Sequence, residues 1–457
     1  MSTAQITANH VSGFNVAIKR SFLICIALLA PLTAVKIGEL QTIEIYSFIA
    51  FGIVAAAVWH DRLRIRGEHE ILALLKFYGL FLIIAASLAI WALRLPTYPI
   101  PGTSLLKHAP FLSLARLVQY TIVIGTLLIT ASLVAARPSL GALLCQCYVY
   151  AGIVSCMFGV ISWAALFAGI HLGGAYGPTH RIRGFFVEGG PFGVYLVGVI
   201  LVCMFRRHVL HRGDRRAYWA QMVFLVGTLF GAQSKAGILL AIIIALYYMA
   251  LTKRLRYVLA FAPIFLALAV FVHLTSQLRS YGEDYLNFSK LAQEHPNDPS
   301  LTEGRLMAAI LVPIMVVHHP IAGIGIGNYS LQRDNPEYLG PLPTTSSWDL
   351  PGLGLLGDSA ELGIPLLIYL CWLLWRPVSI AHRVRAPPLV ALTAAYQIFA
   401  HTLGVQVTFA YPWIVSAIAL GHSLALKNSY AQASAGALSD RHVAISGRSH
   451  AALSFRE

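Results

Sequence analysis

The stretch SLTEGRLMAAILVPIMVVHHPIAGIGIGNYS, residues 300–330, decides how the chain is read. Ser300 and Glu303 have the spacing of a capping box, in which each side chain satisfies a free backbone N–H at a helix start. A helix is expected from there to His318. Pro320 stops it, because proline lacks the N–H and clashes with the preceding turn, and Pro313 predicts a kink within it. The continuous apolar part, Leu306 to Val317, is about 18 Å long, short of a hydrocarbon core of about 30 Å. The helix therefore either lies at a membrane surface and dips into it, or crosses as a short kinked span. Gly323, Gly325 and Gly327 then alternate, which lets the backbone turn tightly. No strand or βαβ context surrounds them, so they are not read as a nucleotide phosphate loop.

The rest of the chain supplies the membrane. Of 457 residues, 57% are hydrophobic and 11% charged, with a mean hydropathy of +0.70; soluble domains carry roughly a quarter charged residues. An all-α polytopic membrane protein is expected, with about twelve spans of about 20 residues each: 20–38, 41–59, 72–93, 111–135, 141–169, 188–205, 217–232, 236–252, 257–274, 353–375, 387–404 and 409–427. Residues 1–427 read as one transmembrane domain, with an external loop at 275–350 containing its own helix. Residues 428–457, rich in Ala and Ser, read as a flexible tail.

The net charge of +14 does not point to nucleic acid, since no Arg- or Lys-rich aromatic surface accompanies it. The basic segments HDRLRIRGEHE (60–70), RRHVLHRGDRR (206–216), TKRLRY (252–257) and RPVSIAHRVR (376–385) fall on one side if 306–319 does not span. The positive-inside rule makes that side cytoplasmic, with both chain ends. Cys25, Cys145, Cys147, Cys156, Cys203 and Cys371 all lie in apolar segments and read as small buried hydrophobes. The Cys145-x-Cys147 pair has no partner pair, so no metal site is expected.

A second class of residue sits where polarity is costly. Arg181 and Arg183 in THRIRGFFVEGGPFGVYL (179–196), Lys235 in FGAQSKAGILL (230–240) and Arg305 at the head of the loop helix all map to the outer half. Each alone could be a snorkelling or loop residue. Together they could hold a pyrophosphate, Arg as a rigid fork of donors and Lys as a mobile point charge, stabilising charge on a leaving group. Asp358 and Glu361 are three apart on one helix face; they could orient an Arg, act as a base or form a structural pair. His318 and His319 are either a base near neutral pH or helix-end packing. Asn328 and Tyr329 could touch sugar hydroxyls beside Gly325, and Arg116 in FLSLARLVQY (111–120) could pair with an acid or contact a lipid phosphate.

RIRGFFVEGGPFGVYL, GTLFGAQSKAGILL, GRLMAAILVPIMVVHHPIAGIGIGNYS and ELGIPLLIYL, in that order, resemble the O-antigen ligase and polymerase superfamily, bacterial inner-membrane glycosyltransferases of the GT-C type. The resemblance covers 180–375. The family's Arg three before a Gly matches Arg181 and Gly184. Its Ser-Arg pair falls at Ser234 and Lys235, its Gly-Arg at Gly304 and Arg305, and its His-Pro-to-Asn run at His319, Pro320, Gly323, Gly325, Gly327 and Asn328. It implies a lipid-linked glycan donor, undecaprenyl-pyrophosphate, and a glycan acceptor at the periplasmic face, without a nucleotide sugar, cofactor or metal, and it allows a chain-length regulator as partner. The catalytic set it implies is Arg305, Arg181 and Lys235, with Glu361, Asp358 or His319 handling the proton; Arg183, Arg116, His318, Asn328, Tyr329 and Gly325 would bind substrate.

Two departures stand out. Lys235 replaces the family's Arg, and DLPGLGLLGDSAE (349–361) lacks the His-Asn pair that ligases carry before the acid matching Glu361. The expectation is therefore an inverting polymerase of lipid-linked repeat units, with a ligase to lipid A core or another acceptor as one alternative and a lipid-linked glycan transporter as the other.

Overall fold

The structure, a computed structural model, describes residues 17–33, 69–98, 108–176, 180–253, 287–294, 305–340, 342–344 and 353–453, with short pieces between 36 and 52. For Lys36, Ile37, Leu40, Gln41, Phe288, Ser289, Ala292, Arg305, Leu306 and 433–453 it describes the backbone alone. The helices are α1 (17–29), α2 (His69–Ala92), α3 (Ala109–Ala136), α4 (Pro138–Phe167), α5 (Gly189–His208), α6 (Arg215–Gly231) and α7 (Lys235–Leu251). There follow α8 (Phe288–Glu294), α9 (Arg305–His318), α10 (Tyr329–Gln332), α11 (Pro336–Leu339), α12 (Leu355–Arg383), α13 (Pro388–Thr402) and α14 (Ala410–Leu453). The described β structure is one antiparallel pair, Lys36–Ile37 with Leu40–Gln41, and a bridge between Ala175 and Ile182.

Among the described residues, 5 helices are long and apolar enough to cross a membrane: α2, α3, α4, α5 and α12. This corrects the expectation of about twelve. Hydrophobicity is not length: α6 and α7 have 17 residues each and α13 has 15, about 25 Å or less at 1.5 Å per residue. The expected spans 41–59 and 257–274 lie outside the described residues or nearly so. The backbone of α14 runs on as helix to Leu453, through the region read as a tail.

Local chemistry sets the joints. Arg137 is extended (φ −146, ψ 103) between α3 and α4 because Pro138 follows it, so one residue turns a hairpin. Asp214 caps α6 by accepting from the N–H groups of Arg216 and Ala217, and Ser234 caps α7 by accepting from Gly237. Ser234 also donates to the Gly190 carbonyl at 2.9 Å. There α5 and α7 touch backbone to backbone, and a Cβ on Gly237 would lie 2.6 Å from the Gly193 carbonyl carbon.

These hairpins sort the turns to two ends. One end gathers the C-termini of α2, α4, α6 and α13 with the N-termini of α3, α5, α7, α12 and α14. The other carries Arg137, the 209–214 and 384–387 turns, and Lys427 paired with Glu70. Arg206, Arg207, Arg212, Arg215, Arg216, Arg383 and Arg385 all belong to that second end.

The decisive joint is inside α12. Gly363 is non-helical (φ 72, ψ 166), which divides α12 into a short arm to Leu362 and a long arm from Ile364. Pro365 has no N–H to give the Glu361 carbonyl four residues back. Gly325 N–H fills that place at 3.1 Å, Ile324 N–H takes the Ala360 carbonyl at 2.8 Å, and Ile364 N–H donates to the Pro320 carbonyl at 2.8 Å. The glycine turn after α9 is thus bonded across the break. α9 itself packs Met307, Ala308, Leu311, Val312 and Met315 against Ile324, Tyr329, Tyr338 and Ala360, a cluster separate from the main helix core. At 14 residues it is about 21 Å long.

Gly363→Ala adds a Cβ at positive φ against the Ile321 carbonyl. It is expected to cost about 1–3 kcal/mol, read as a lowered Tm of the detergent-solubilised protein. An unchanged Tm would contradict the packing at the break.

Candidate functional site

A cavity of about 40 Å³ opens where the short arm of α12 meets α3, α9 and the 403–409 turn. It has room for a hydroxyl or a water rather than a sugar ring. Arg116, Tyr329, Asp358, Glu361, Gln406 and Thr408 line it, with Ala308 and Val312 of α9. Arg116 donates to Gln119 at 3.2 Å and to Thr408 at 3.1 Å, which holds its guanidinium at the cavity wall.

The two acids do different things. Both oxygens of buried Glu361 are committed to the glycine turn: Oε2 accepts from Gly327 N–H at 2.9 Å and Oε1 from Tyr329 N–H at 3.3 Å. Asp358 accepts from the Tyr120 hydroxyl at Oδ1, at 3.2 Å, while its buried Oδ2 has no partner. The Tyr329 hydroxyl is likewise buried without a partner. A carboxylate oxygen whose lone pairs are not engaged, beside an Arg, can accept a proton or a hydroxyl's hydrogen bond.

The remaining expected residues fall elsewhere. Asn328 closes the turn by donating to the Ile324 carbonyl at 3.2 Å, and Gly325 (φ 91) is packed against Ala92. His318 bonds Glu337 at 2.9 Å and His319 bonds the Tyr338 hydroxyl at 2.7 Å. Both histidines therefore tie α9 to α11, and neither lines the cavity. Burial lowers the His319 pKa, and burial together with Glu337 pushes Tyr338 up to about 12. A neutral His319 accepting from a protonated Tyr338 fits both directions.

Arg183 is spent on its own loop, donating to the carbonyls of Gly173 (2.7 Å) and Val187 (2.8 Å) over the Tyr176 ring. Arg181 donates to the carbonyls of Ala232 (3.3 Å) and Gln233 (3.4 Å), in the turn before Lys235, and its charge acts on Lys235. This pair sits at the same end of the bundle as the cavity. The two are linked through Tyr411, which donates to Pro191 at 3.4 Å and stands three residues from Thr408. Arg305 heads α9 three residues before Ala308; its side chain lies outside the described residues.

Tyr120, Gln119, Gln406 and Thr408 were not expected. The signal for the first two was present: Gln119 and Tyr120 stand one turn after Arg116 in an otherwise apolar run. Among the described residues no group of three or more His, Cys, Asp or Glu could hold a metal ion, and the cysteines are free thiols.

Glu361→Ala leaves two buried N–H groups unpaired and is expected to destabilise the protein by about 1–3 kcal/mol each; Asp358→Asn should leave the Tm within a degree or two. Equal losses in thermal melts would contradict this division. His319 supplies a pH test. With its pKa lowered on folding, the unfolded chain binds more protons as pH falls through the ordinary histidine range. Stability should therefore drop on acidification from pH 7.5 to 5.5, and His319→Gln should reduce that drop. An identical drop in the variant would count against it.

Residues 220–371, from α6 into the long arm of α12, match the family described as O-antigen ligase (Wzy_C). No curated protein matches the chain. The matched stretch contains Lys235, α9, the glycine turn and both acids. Over those residues the chain is similar to the O-antigen ligase family.

Proposed function

We propose that the chain transfers a glycan from undecaprenyl-pyrophosphate to an acceptor hydroxyl, at the end of the bundle that holds the Asp358 cavity. The observation that carries this is Asp358, whose buried Oδ2 has no partner and which lines a hydroxyl-sized cavity together with Arg116. The acceptor oxygen bonds to the anomeric carbon, the carbon–oxygen bond to the pyrophosphate breaks, and the hydroxyl proton passes to Asp358. The pyrophosphate leaves on its lipid with the bonding pair, and one displacement inverts the centre. Arg181, Lys235 and Arg305 hold the leaving group's charge. Fixing donor and acceptor in line supplies much of the acceleration. The excess of arginines at the opposite end supports an inner-membrane orientation with that end in the cytoplasm and the cavity at the periplasm.

The family's description supports the ligase, with lipid A core or another large acceptor, over the polymerase that the sequence reading favoured. One observation still favours the polymerase: 349–361 lacks the ligase histidine. Asp358 takes that histidine's role in either reaction.

In membranes of the host lacking this gene, extracted glycans sized by gel and mass spectrometry separate the two. Long chains stranded on the undecaprenyl carrier mean ligase, and accumulated single repeat units mean polymerase; an unaltered profile would overturn both. In complemented cells, Asp358→Asn is expected to reduce product on the order of 100-fold, and Arg305→Ala to abolish it, each at normal protein level. Wild-type product from either variant would remove that residue from the mechanism.

A further inference from the structure

We propose that the end of the bundle opposite the cavity binds the headgroup of an anionic phospholipid, in the groove between α2, α12 and α14. A cavity of about 660 Å³ there is lined by Glu70, Arg383, Arg385, Lys427 and Tyr430. Three cations face one carboxylate. Glu70 is already paired with Lys427 at 3.1 Å and lies in the field of Arg383 and Arg376, which leaves the groove with an excess of positive charge. Arg385 is exposed, directly after the C-terminus of α12. Phosphate oxygens match such guanidinium donors.

A second, independent feature says the anion carries an acyl chain. Arg376, two turns up α12, stacks over Trp372 at 5.1 Å, and its Nε is buried without a partner. Trp372 meets Phe77 edge-on at 5.1 Å and stacks on Tyr369 at 5.6 Å, and the Tyr369 hydroxyl donates to the Phe77 carbonyl at 3.0 Å. Trp372 and Phe77 remain 39% and 36% exposed. From Arg383 to Trp372 is eleven residues of helix, about 16 Å, close to half of a hydrocarbon core of about 30 Å. A phosphate at Arg383, Arg385 and Lys427 would thus lay one leaflet's acyl chain along the Phe77, Tyr369 and Trp372 rail. A free phosphate would use the cations and leave that rail unused. Basic clefts at cytoplasmic helix ends suit anionic headgroups for the same electrostatic reason.

The test uses the full chain purified in mild detergent and stripped of lipid, with three probes at equal concentration: dioleoylphosphatidylglycerol, dioleoylphosphatidylcholine and inorganic phosphate. Native mass spectrometry should show the phosphatidylglycerol retained at least threefold better than the phosphatidylcholine. It should also raise the Tm by several degrees, with no shift from inorganic phosphate. Arg385→Ala, at an exposed position, should keep the lipid-free Tm and lose most of the lipid-induced shift; Arg383→Gln with Arg385→Ala should abolish it. Equal retention of the two lipids, an equal shift from inorganic phosphate, or an undiminished shift in the Arg385 variant would overturn the proposal.

Discussion

Three backbone hydrogen bonds across the break at Gly363 hold the cavity end of this protein together. A helix interrupted at membrane depth exposes carbonyls and N–H groups that hydrocarbon cannot satisfy. Here Pro365 withholds one donor and Gly363 turns the chain. The glycine run after α9 then supplies Ile324 and Gly325 as donors and Pro320 as acceptor. Glu361 completes the joint by gathering the N–H groups of Gly327 and Tyr329. Once that joint is closed, Asp358 is fixed one turn before it, α9 has its floor, and Arg116 has a wall opposite.

This arrangement separates two roles that one pair of acids suggests. Glu361 accepts a backbone N–H at each oxygen and builds the turn, whereas Asp358 keeps an unpartnered oxygen. The cations divide in the same way. Arg183 is consumed by its loop, Arg181 shares its donors with the turn that carries Lys235, and Arg116 is steadied by Gln119 and Thr408 at the cavity. The proposed transfer needs that kind of division: charge gathered on one side and a lone acceptor on the other.

Much of this end was legible in the sequence. The helix read from Ser300 to His318, its stop at Pro320 and the tight alternation of Gly323, Gly325 and Gly327 follow from capping, proline and glycine backbone chemistry; the capping box lies outside the described residues, and the structure has helix α9 ending at His318 and all three glycines at positive φ. The i,i+3 spacing of Asp358 and Glu361 put both on one helix face, and both line the cavity. Their division of labour was not legible, because Glu361's partners are backbone N–H groups contributed by a turn more than thirty residues away. His318 and His319 likewise find Glu337 and Tyr338 only once α11 folds back. The span count failed because hydropathy detects apolar segments whether or not the helix is long enough to cross, as α6, α7 and α13 show. Tyr120 and Thr408 were missed because a polar residue inside an apolar run carries no label for its partner.

The most direct test of the central claim is reconstitution. The purified chain would be placed in liposomes with a lipid-linked glycan donor and a defined glycan acceptor, and the products analysed for new glycosidic bonds. Glycosyl transfer is predicted, with loss of the lipid pyrophosphate linkage and inversion at the anomeric carbon. Movement of the lipid-linked glycan across the bilayer with no new bond formed would contradict it, and would make the cations at the cavity end part of a translocation path instead.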